Sequence, residues 1–267
     1  MIKTEKIISR NNRRLVHARR VRDGKIPTQI FIEGRRLVEE ALRSQIEIDE
    51  CFIVEGFRAK ELIATISARV VPMIEVSTRS FASIADTDQS QGIIVIAKRQ
   101  QSRLEDIEFR LNSSSLPLVI FLKEINNPSN LGAILRTAEA AGVAGIIVST
   151  NSADAFSPKA LRSAMGSSFH LTVCENISFD GVLAWAIERN LVTTAADIAA
   201  DETYTSLDWK KPRLLVFGSE AHGLTENELE RVEQPVRIPM DNSVESLNIA
   251  VSSGIILFEA KRQNSSR

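Results

Sequence analysis

The sequence predicts an α/β protein of two domains, and three features of the chain support this class. Short apolar segments of strand length alternate with segments of helical period from about residue 30 onward. A polar stretch at 99–115, ending in Asn112 and three serines, divides this alternation and is predicted to be a linker. The length of 267 residues also suits two domains of ordinary size. We therefore predict a smaller domain over 30–98 and a larger one over 116–267.

The smaller domain is predicted to be a compact α/β unit. Its clearest helix is at 35–43, where the apolar side chains between Leu37 and Leu42 share one face and the charged ones lie largely outside it. Strands are predicted at 30–32, 48–54, 71–76 and 92–97.

The larger domain is predicted to contain a mostly parallel sheet with helices on both faces, because its strands and helices alternate. Ligands of such sheets bind at the carboxyl ends of the strands. Strands are predicted at 117–122, 145–149, 170–173, 191–195, 213–217 and 236–238. Helices are predicted at 130–141, 158–165, 179–189, 226–232 and 246–262.

Charge is distributed unevenly along the chain. Residues 1–25 hold nine Lys and Arg but only two acidic residues, although the whole chain has a net charge of −1. We interpret 1–29 as a basic arm that contacts RNA, since each cation on a phosphate releases a counterion. A solvated helix face and an organelle transit peptide are the alternatives.

Composition disfavours several other classes of protein. No apolar run is long enough to span a bilayer, so we expect no membrane association. Cys51 and Cys174 lie in separate apolar segments, where we expect buried, reduced thiols and a cytoplasmic protein. The three histidines have no partner at ligand spacing, so we expect no metal.

The first polar cluster, 126–138, follows an apolar strand and begins a helix; it reads Asn-Asn-Pro-Ser-Asn-Leu-Gly-Ala-Ile-Leu-Arg-Thr-Ala. Gly132 and Arg136 lie one turn apart on the same face, so a phosphate or oxyanion could approach the guanidinium. An ordinary Asn-Pro helix start followed by a surface arginine explains the pattern equally well.

The second cluster, 217–224, directly follows an apolar strand and reads Phe-Gly-Ser-Glu-Ala-His-Gly-Leu. Its two glycines would let the backbone approach a ligand closely, although a tight turn is an equal alternative. Phe217 stands where a hydrolase Gly-x-Ser-x-Gly elbow requires glycine. The chain also lacks a glycine-rich phosphate loop and a dinucleotide-binding fingerprint.

The third cluster, 238–251, joins a short strand to a long helix and begins Ile-Pro-Met. Ser246 and Asn248 stand at the helix start, where free backbone N–H groups need partners. Apolar residues from Leu247 to Phe258 share one helix face. A capped core helix explains that face but not its polar Ser-Leu-Asn entry.

In this order and spacing, the three clusters resemble the three motifs of the SpoU (TrmH-like) family of SPOUT RNA methyltransferases. The resemblance extends over roughly 117–262, and 157–169 looks like the family's intervening region. More loosely, 30–98 resembles its N-terminal substrate-binding domain, most clearly at 31–41 (Phe-Ile-Glu-Gly, then Leu-Val-Glu-Glu-Ala).

The resemblance implies a SPOUT-type parallel sheet whose C-terminal part is tied into a trefoil knot, and a small N-terminal α/β RNA-binding domain. It also implies a homodimer with the active site near the subunit interface. The implied cofactor is S-adenosylmethionine, with contacts at Gly218, Ile238, Met240 and Leu247.

The implied reaction is methylation of a ribose 2′-hydroxyl in RNA, most simply ribosomal RNA. Arg136 would position and activate the hydroxyl, and Asn130, Glu220, Ser246 and Asn248 would shape the site. His222 falls at a variable position and is given less weight. The same chemistry on tRNA, and a catalytically idle RNA-binding or ribosome-assembly factor, remain alternatives.

Overall fold

A computed structural model describes residues 5–44, 46–114, 116–241 and 246–265. The chain divides into two compact units. Unit 1 comprises 1–100 together with 156–169, and unit 2 comprises 101–155 together with 170–267. Both units alternate strands and helices, which confirms the predicted α/β class.

Unit 1 contains a five-stranded mixed sheet in the order β1-β4-β3-β5-β2. Strands β1, β4 and β3 run parallel to one another, whereas β5 is antiparallel to both β3 and β2. Its elements up to residue 100 are β1 (Glu5–Ile7), α1 (Arg13–Arg22), β2 (Gln29–Glu33), α2 (Arg35–Arg43), β3 (Ile48–Val54), α3 (Lys60–Ala68), β4 (Met73–Val76), α4 (Thr78–Ala82) and β5 (Ile93–Lys98).

The basic segment is not a separate arm, in contrast to our prediction for 1–29. Its strand β1 pairs in parallel with β4, and Leu15, Ala18 and Val21 of α1 are buried in the core of unit 1. These three residues recur at helical spacing, so α1 is amphipathic despite its many arginines. The sequence interpretation weighted the charges and overlooked this short apolar stripe.

Segment 156–169 also belongs to unit 1, although it lies within the larger predicted domain. Its helix α7 (Pro158–Ala164) packs against β2. Arg162 forms an ion pair of 2.5 Å with Asp86, and Glu33, which is buried, accepts the Asp86 backbone N–H at 2.9 Å. The intervening region is thus anchored by both packing and charge.

Unit 2 contains a six-stranded sheet in the order β11-β9-β10-β6-β7-β8, and every described pairing is parallel. This confirms the predicted parallel sheet. Its strands are β6 (Leu116–Leu122), β7 (Val143–Ser149), β8 (Val173–Ile177), β9 (Val192–Ala196), β10 (Arg213–Phe217) and β11 (Gln234–Val236). Its helices are α5 (Leu104–Leu111), α6 (Pro128–Ala141), α8 (Phe179–Glu188), α9 (Glu226–Leu229) and α10 (Ile249–Ser265). The 3-10 turn at Ser167–Phe169, in contrast, is part of unit 1.

The predicted linker is partly folded. Helix α5 occupies its middle, and Ile107 is buried in the core of unit 2. The Ile107 side chain packs against the backbone of Gly145, where a Cβ would lie 2.7 Å from Ile107 Cγ1. The polar composition of 99–115 therefore reflects the exposed side of α5 rather than a flexible connection.

The predicted apolar face of the last helix does not lie in the core. Leu247, Val251 and Phe258 are 36%, 52% and 48% exposed, whereas Ile256 and Leu257 on the other side are buried. Helix α10 packs on α6, where a Cβ at Gly254 would lie 3.7 Å from the Thr137 side chain. An apolar stripe of this size left open to solvent suggests an association surface.

Burial raises the pKa of both cysteine thiols, Cys51 and Cys174, to about 12. Both are free of disulfides, so they behave as small apolar side chains. Among the described residues, no helix has both the length and the apolar character to cross a membrane. In the same part of the chain, no three His, Cys, Asp or Glu side chains cluster as a metal site would require.

Candidate active site

A cavity of about 570 Å³ opens at the carboxyl ends of β9, β10 and β11. A volume of this order is typical of small-molecule sites. The third cluster supplies Ile238, Met240, Ser246, Leu247, Asn248 and Ile249 to its lining, and Ser252 of α10 follows them. Asn130 of the first cluster joins them, together with 217–223 of the second. The three polar clusters thus meet at one site.

The loop after β10 forms a tight backbone crossing. Ser219 and Gly223 exchange backbone hydrogen bonds of 3.0 and 2.9 Å, and Gly223 has a φ of +67°. A Cβ placed on Gly218 would lie 2.2 Å from the carbonyl carbon of Gly223. Only glycine fits at 218 unless the backbone moves, so a close approach explains the first glycine and a positive φ explains the second.

Glu220 connects the three clusters through hydrogen bonds. One carboxylate oxygen accepts the Asn127 backbone N–H at 3.1 Å, and the other accepts the Asn130 side-chain amide. The side-chain oxygen Oδ1 of Asn130 in turn accepts a hydrogen bond from the Asn248 side-chain amide at 3.2 Å. This chain of bonds fixes the relative positions of residues that are far apart in sequence.

Two helices begin at this network, and each is capped by an asparagine. The Asn127 side chain accepts the Ser129 N–H at 2.9 Å, with Pro128 as the first helical residue of α6. The Asn248 side chain accepts the Ala250 N–H at 2.9 Å at the start of α10. Asn248 therefore caps a helix and contacts Asn130 at the same time. This accounts for the polar entry that a core helix would not need.

The cavity carries negative charge. Asp197 and Glu220 line it, and among the described lining residues there is no Lys or Arg. His222 lies at the rim and is exposed; its backbone N–H donates to the Ser219 hydroxyl at 3.2 Å. A site with this balance favours a ligand that carries positive charge.

An ion pair between Lys123 and Glu228 lies next to the start of the loop after β10. Lys123 contacts Glu228 at 2.8 Å, and the Lys123 backbone N–H donates to the carbonyl of Phe217 at 2.9 Å. Burial tends to raise the pKa of Glu228, but hydrogen bonds from Lys123 and Thr225 outweigh it and lower that pKa. Glu228 is therefore charged and holds the N-terminus of α9 beside the loop.

The cavity brings together eight of the nine predicted site residues: Asn130, Gly218, Glu220, Ile238, Met240, Ser246, Leu247 and Asn248. Arg136 is the exception. It is exposed on α6, six residues beyond Asn130, which places it about 9 Å further along the helix axis. Residues 242–245 of the third cluster lie outside the described part of the chain.

Sequence reasoning overlooked residues 196–198, which follow β9 and also line the cavity. The Asp197 N–H donates to the carbonyl of Val236 at 2.9 Å, and its carboxylate accepts the Ala199 N–H at 2.7 Å. Its position in the chain was the available indication. Asp197 directly follows β9, and β9 pairs with β10, the strand that leads into the glycine loop.

Comparison with known proteins agrees with this geometry. A profile of the SpoU rRNA Methylase family matches 117–258, and one for RNA 2′-O ribose methyltransferase substrate binding matches 31–103. An uncharacterised tRNA/rRNA methyltransferase of Synechocystis is 33% identical over 88% of this chain and 84% of its own. The 23S rRNA (guanosine-2′-O-)-methyltransferase RlmB of Shewanella oneidensis is 31% identical over 89% of this chain and 99% of its own.

A solved structure extends this similarity to the fold. The crystal structure of the AdoMet-bound rRNA methyltransferase from Sinorhizobium meliloti aligns with a TM-score of 0.83 at 28% identity, covering 97% of this chain and 98% of its own. The methylase match spans more than half of the chain and includes all three clusters that form the cavity. This chain belongs to the SpoU rRNA methylase family.

Proposed function

We propose that this protein transfers a methyl group from S-adenosylmethionine to a ribose 2′-hydroxyl of ribosomal RNA. The observation that carries the proposal is the cavity in which all three motif clusters meet around two carboxylates. Its size suits the cofactor, and its charge suits a positively charged sulfonium. The similarity to the 23S rRNA methyltransferase RlmB of Shewanella oneidensis favours ribosomal RNA as the substrate.

The cofactor supplies an electrophilic methyl group on a positively charged sulfur. We assign its binding to Gly218, Ile238, Met240 and Leu247, which line the cavity. Gly218 lines the cavity, and its close approach to Gly223 leaves no room for a side chain at that position. In our proposal Asn130, Glu220, Ser246 and Asn248 shape the site and hold it rigid, which favours an in-line approach of the ribose oxygen.

Arg136 is proposed to act on the substrate of a second subunit. Its own chain's cavity does not include it, and it is exposed on α6, the helix that packs on α10. Pairing two copies through Leu247, Val251 and Phe258 would bury the exposed apolar stripe of α10 and bring an always-charged donor to the partner's site. There it would position the 2′-hydroxyl and the adjacent phosphate.

We also propose the trefoil knot that the resemblance implies. In support, the loop after β10 doubles back tightly at Gly218, and 246–248, directly before α10, line the same cavity. Unit 1 is proposed to recognise the RNA, since most of it matches a substrate-binding profile. A cytoplasmic location is part of the proposal and is supported by two free, buried cysteines.

The direct test incubates the purified protein with methyl-labelled S-adenosylmethionine and either ribosomal RNA or tRNA, followed by digestion to nucleosides. We expect label in a 2′-O-methylated nucleoside from ribosomal RNA. Label in tRNA alone would support the alternative substrate. Cofactor binding without any transfer, on intact ribosomal particles as well as naked RNA, would indicate the idle factor.

A further inference from the structure

A second recess in the molecule has a very different lining. It is a groove of about 580 Å³ in unit 1, between the segment that leads into α1 and helix α4. We call this recess the α1–α4 groove. Its polar lining is formed by Arg10, Asn11, Arg19, Arg79, Ser80 and Ser83. Three of these side chains are guanidinium groups, and none of the described residues that line it bears a carboxylate.

The cationic character of the groove is not cancelled locally at Arg19. Its guanidinium donates to the Ser83 hydroxyl at 3.2 Å and to the Arg10 carbonyl at 2.9 Å. Both acceptors are neutral, so the hydrogen bonds orient the guanidinium without neutralising it. They also use only part of its donor capacity, and the remaining N–H groups are available to a ligand.

The groove is held in shape by hydrogen bonds between its two walls and within the α4 wall. The buried Ser80 hydroxyl donates to the Ile8 carbonyl at 2.8 Å, and the Ser83 hydroxyl donates to the Ser80 carbonyl at 2.6 Å. Arg22 of α1 donates to the Ala85 carbonyl beyond α4 at 3.0 Å. A site built in advance in this way loses little conformational freedom when it binds a ligand.

Several other basic side chains of unit 1 are neutralised. Lys6, Arg43 and Lys98 form ion pairs with glutamates at 2.6, 2.6 and 2.5 Å. A recess of about 620 Å³ along α2 also contains three arginines, but Glu39 and Glu40 share it. The α1–α4 groove differs from these places because its arginines face no acid among its described lining.

We propose that the α1–α4 groove binds the phosphate backbone of the RNA substrate. The inference rests on the proposed function, and it locates one RNA contact outside the catalytic cavity. Arg10 and Arg19 precede residue 31, where the match to the substrate-binding profile begins, so this surface adds to that domain. Guanidinium groups bind phosphate with two parallel hydrogen bonds, and the match of most of unit 1 to an RNA methyltransferase substrate-binding profile favours RNA as the source of that phosphate.

The test removes two exposed arginines of the groove with the double substitution Arg10→Gln and Arg79→Gln. Binding of a fluorescein-labelled RNA stem–loop is measured by anisotropy over a series of KCl concentrations. We expect affinity about tenfold lower at low salt, and a slope of log K against log salt reduced by about two. Wild-type affinity and slope in this variant would overturn the inference.

A matched control removes the same charge elsewhere, with Arg43→Gln and Lys98→Gln, whose side chains are paired with Glu40 and Glu47. It should bind RNA nearly as the wild type does, and an equal loss there would overturn the inference by making net charge the cause. Calorimetry with S-adenosylmethionine checks that each variant keeps a folded catalytic unit. Preference of the wild-type groove for polyglutamate over RNA would also contradict the assignment.

The two proposals fail separately. A wild-type protein that binds RNA through Arg10 and Arg79 but transfers no methyl group would contradict the proposed function and leave the groove standing. Normal methyl transfer combined with unchanged RNA binding by the groove variant would do the reverse.

Discussion

The cavity of unit 2 and the α1–α4 groove of unit 1 recognise ligands by different physical means. The cavity adds a close fit to the charge of its two carboxylates: the tight turn at Gly218 and the hydrogen-bond network through Glu220 leave little room for any added atom. The groove depends on charge, with three arginines and several neutral hydrogen-bond acceptors. Single substitutions should therefore have abrupt effects in the cavity and graded, salt-dependent effects in the groove.

The largest effect is expected from Gly218→Ala. The new methyl group would lie 2.2 Å from backbone carbon, and no side-chain rotation can relieve that contact. We expect no measurable S-adenosylmethionine binding by calorimetry. Gly24→Ala in unit 1 is the control for general destabilisation, because its φ of +70° strains an alanine although the space around its Cβ position is open. Unchanged cofactor affinity in Gly218→Ala would show that the crossing is not part of the site.

Arg136→Ala should abolish catalysis while sparing the cofactor. Arg136 does not line the cavity of its own chain, so calorimetry should return wild-type affinity for S-adenosylmethionine. Methyl transfer should fall by about a hundredfold to ten-thousandfold, the range for loss of one catalytic group. Near-wild-type turnover on the true RNA would contradict the role given to this residue.

The dimer can be tested with the same substitution. Mixing Arg136→Ala subunits with Gly218→Ala subunits should restore part of the activity, because one hybrid site would combine an intact cavity with an intact arginine. If neither mixing nor co-expression restores activity, although mixed dimers form, Arg136 serves its own chain's site.

A smaller and more selective effect is expected from Glu220→Gln. The substitution keeps the side-chain volume and removes one negative charge. Because the new amide has only one acceptor oxygen, either the Asn127 N–H or the Asn130 amide then faces another donor. We expect S-adenosylmethionine to bind about tenfold more weakly, in line with the cost of a lost charge-assisted hydrogen bond. S-adenosylhomocysteine, which lacks the sulfonium charge, should lose less. Equal losses for both ligands would argue against electrostatic recognition.

The smallest effect concerns acid stability beside the cavity. The folded pKa of Glu228 lies below its unfolded value, so this group stabilises the fold above the unfolded pKa of about 4.5 and ceases to do so as pH falls through the folded pKa. Glu228→Gln should therefore lower the unfolding temperature at neutral pH and approach the wild type in acid. A constant difference at every pH would contradict the Lys123 ion pair as the cause.

The comparison of the two regions also shows where sequence reasoning succeeds. Apart from α5, the order of strands and helices in unit 2 was predictable, because buried parallel strands are continuous apolar runs. The three clusters were singled out because they follow or join such strands, but the first two had equally good structural explanations, and only the order and spacing of all three resembled the family's motifs. The helix α2 was predicted with its bounds at Arg35–Arg43, because four apolar side chains share one face.

Other features depend on tertiary contacts that no local pattern reveals. An apolar helix face gives the same sequence pattern whether the helix lies in the core or forms an association surface. Only the exposure of its side chains, seen in the structure, distinguishes these two cases for α10. Helix α1 was not predicted to pack in the core because of its many arginines, although Leu15, Ala18 and Val21 have the spacing of a packed helix. Asp197 gave no signal of its own, because its contribution depends on the pairing of β9 with β10.

The most direct test is a crystal structure of this protein grown with S-adenosylmethionine. We predict the cofactor in the cavity between the 218–223 loop and the start of α10, within contact distance of Gly218 and Leu247. Cofactor bound at any other place, or none bound at saturating concentration, would contradict the assignment of this cavity as the methyl-donor site.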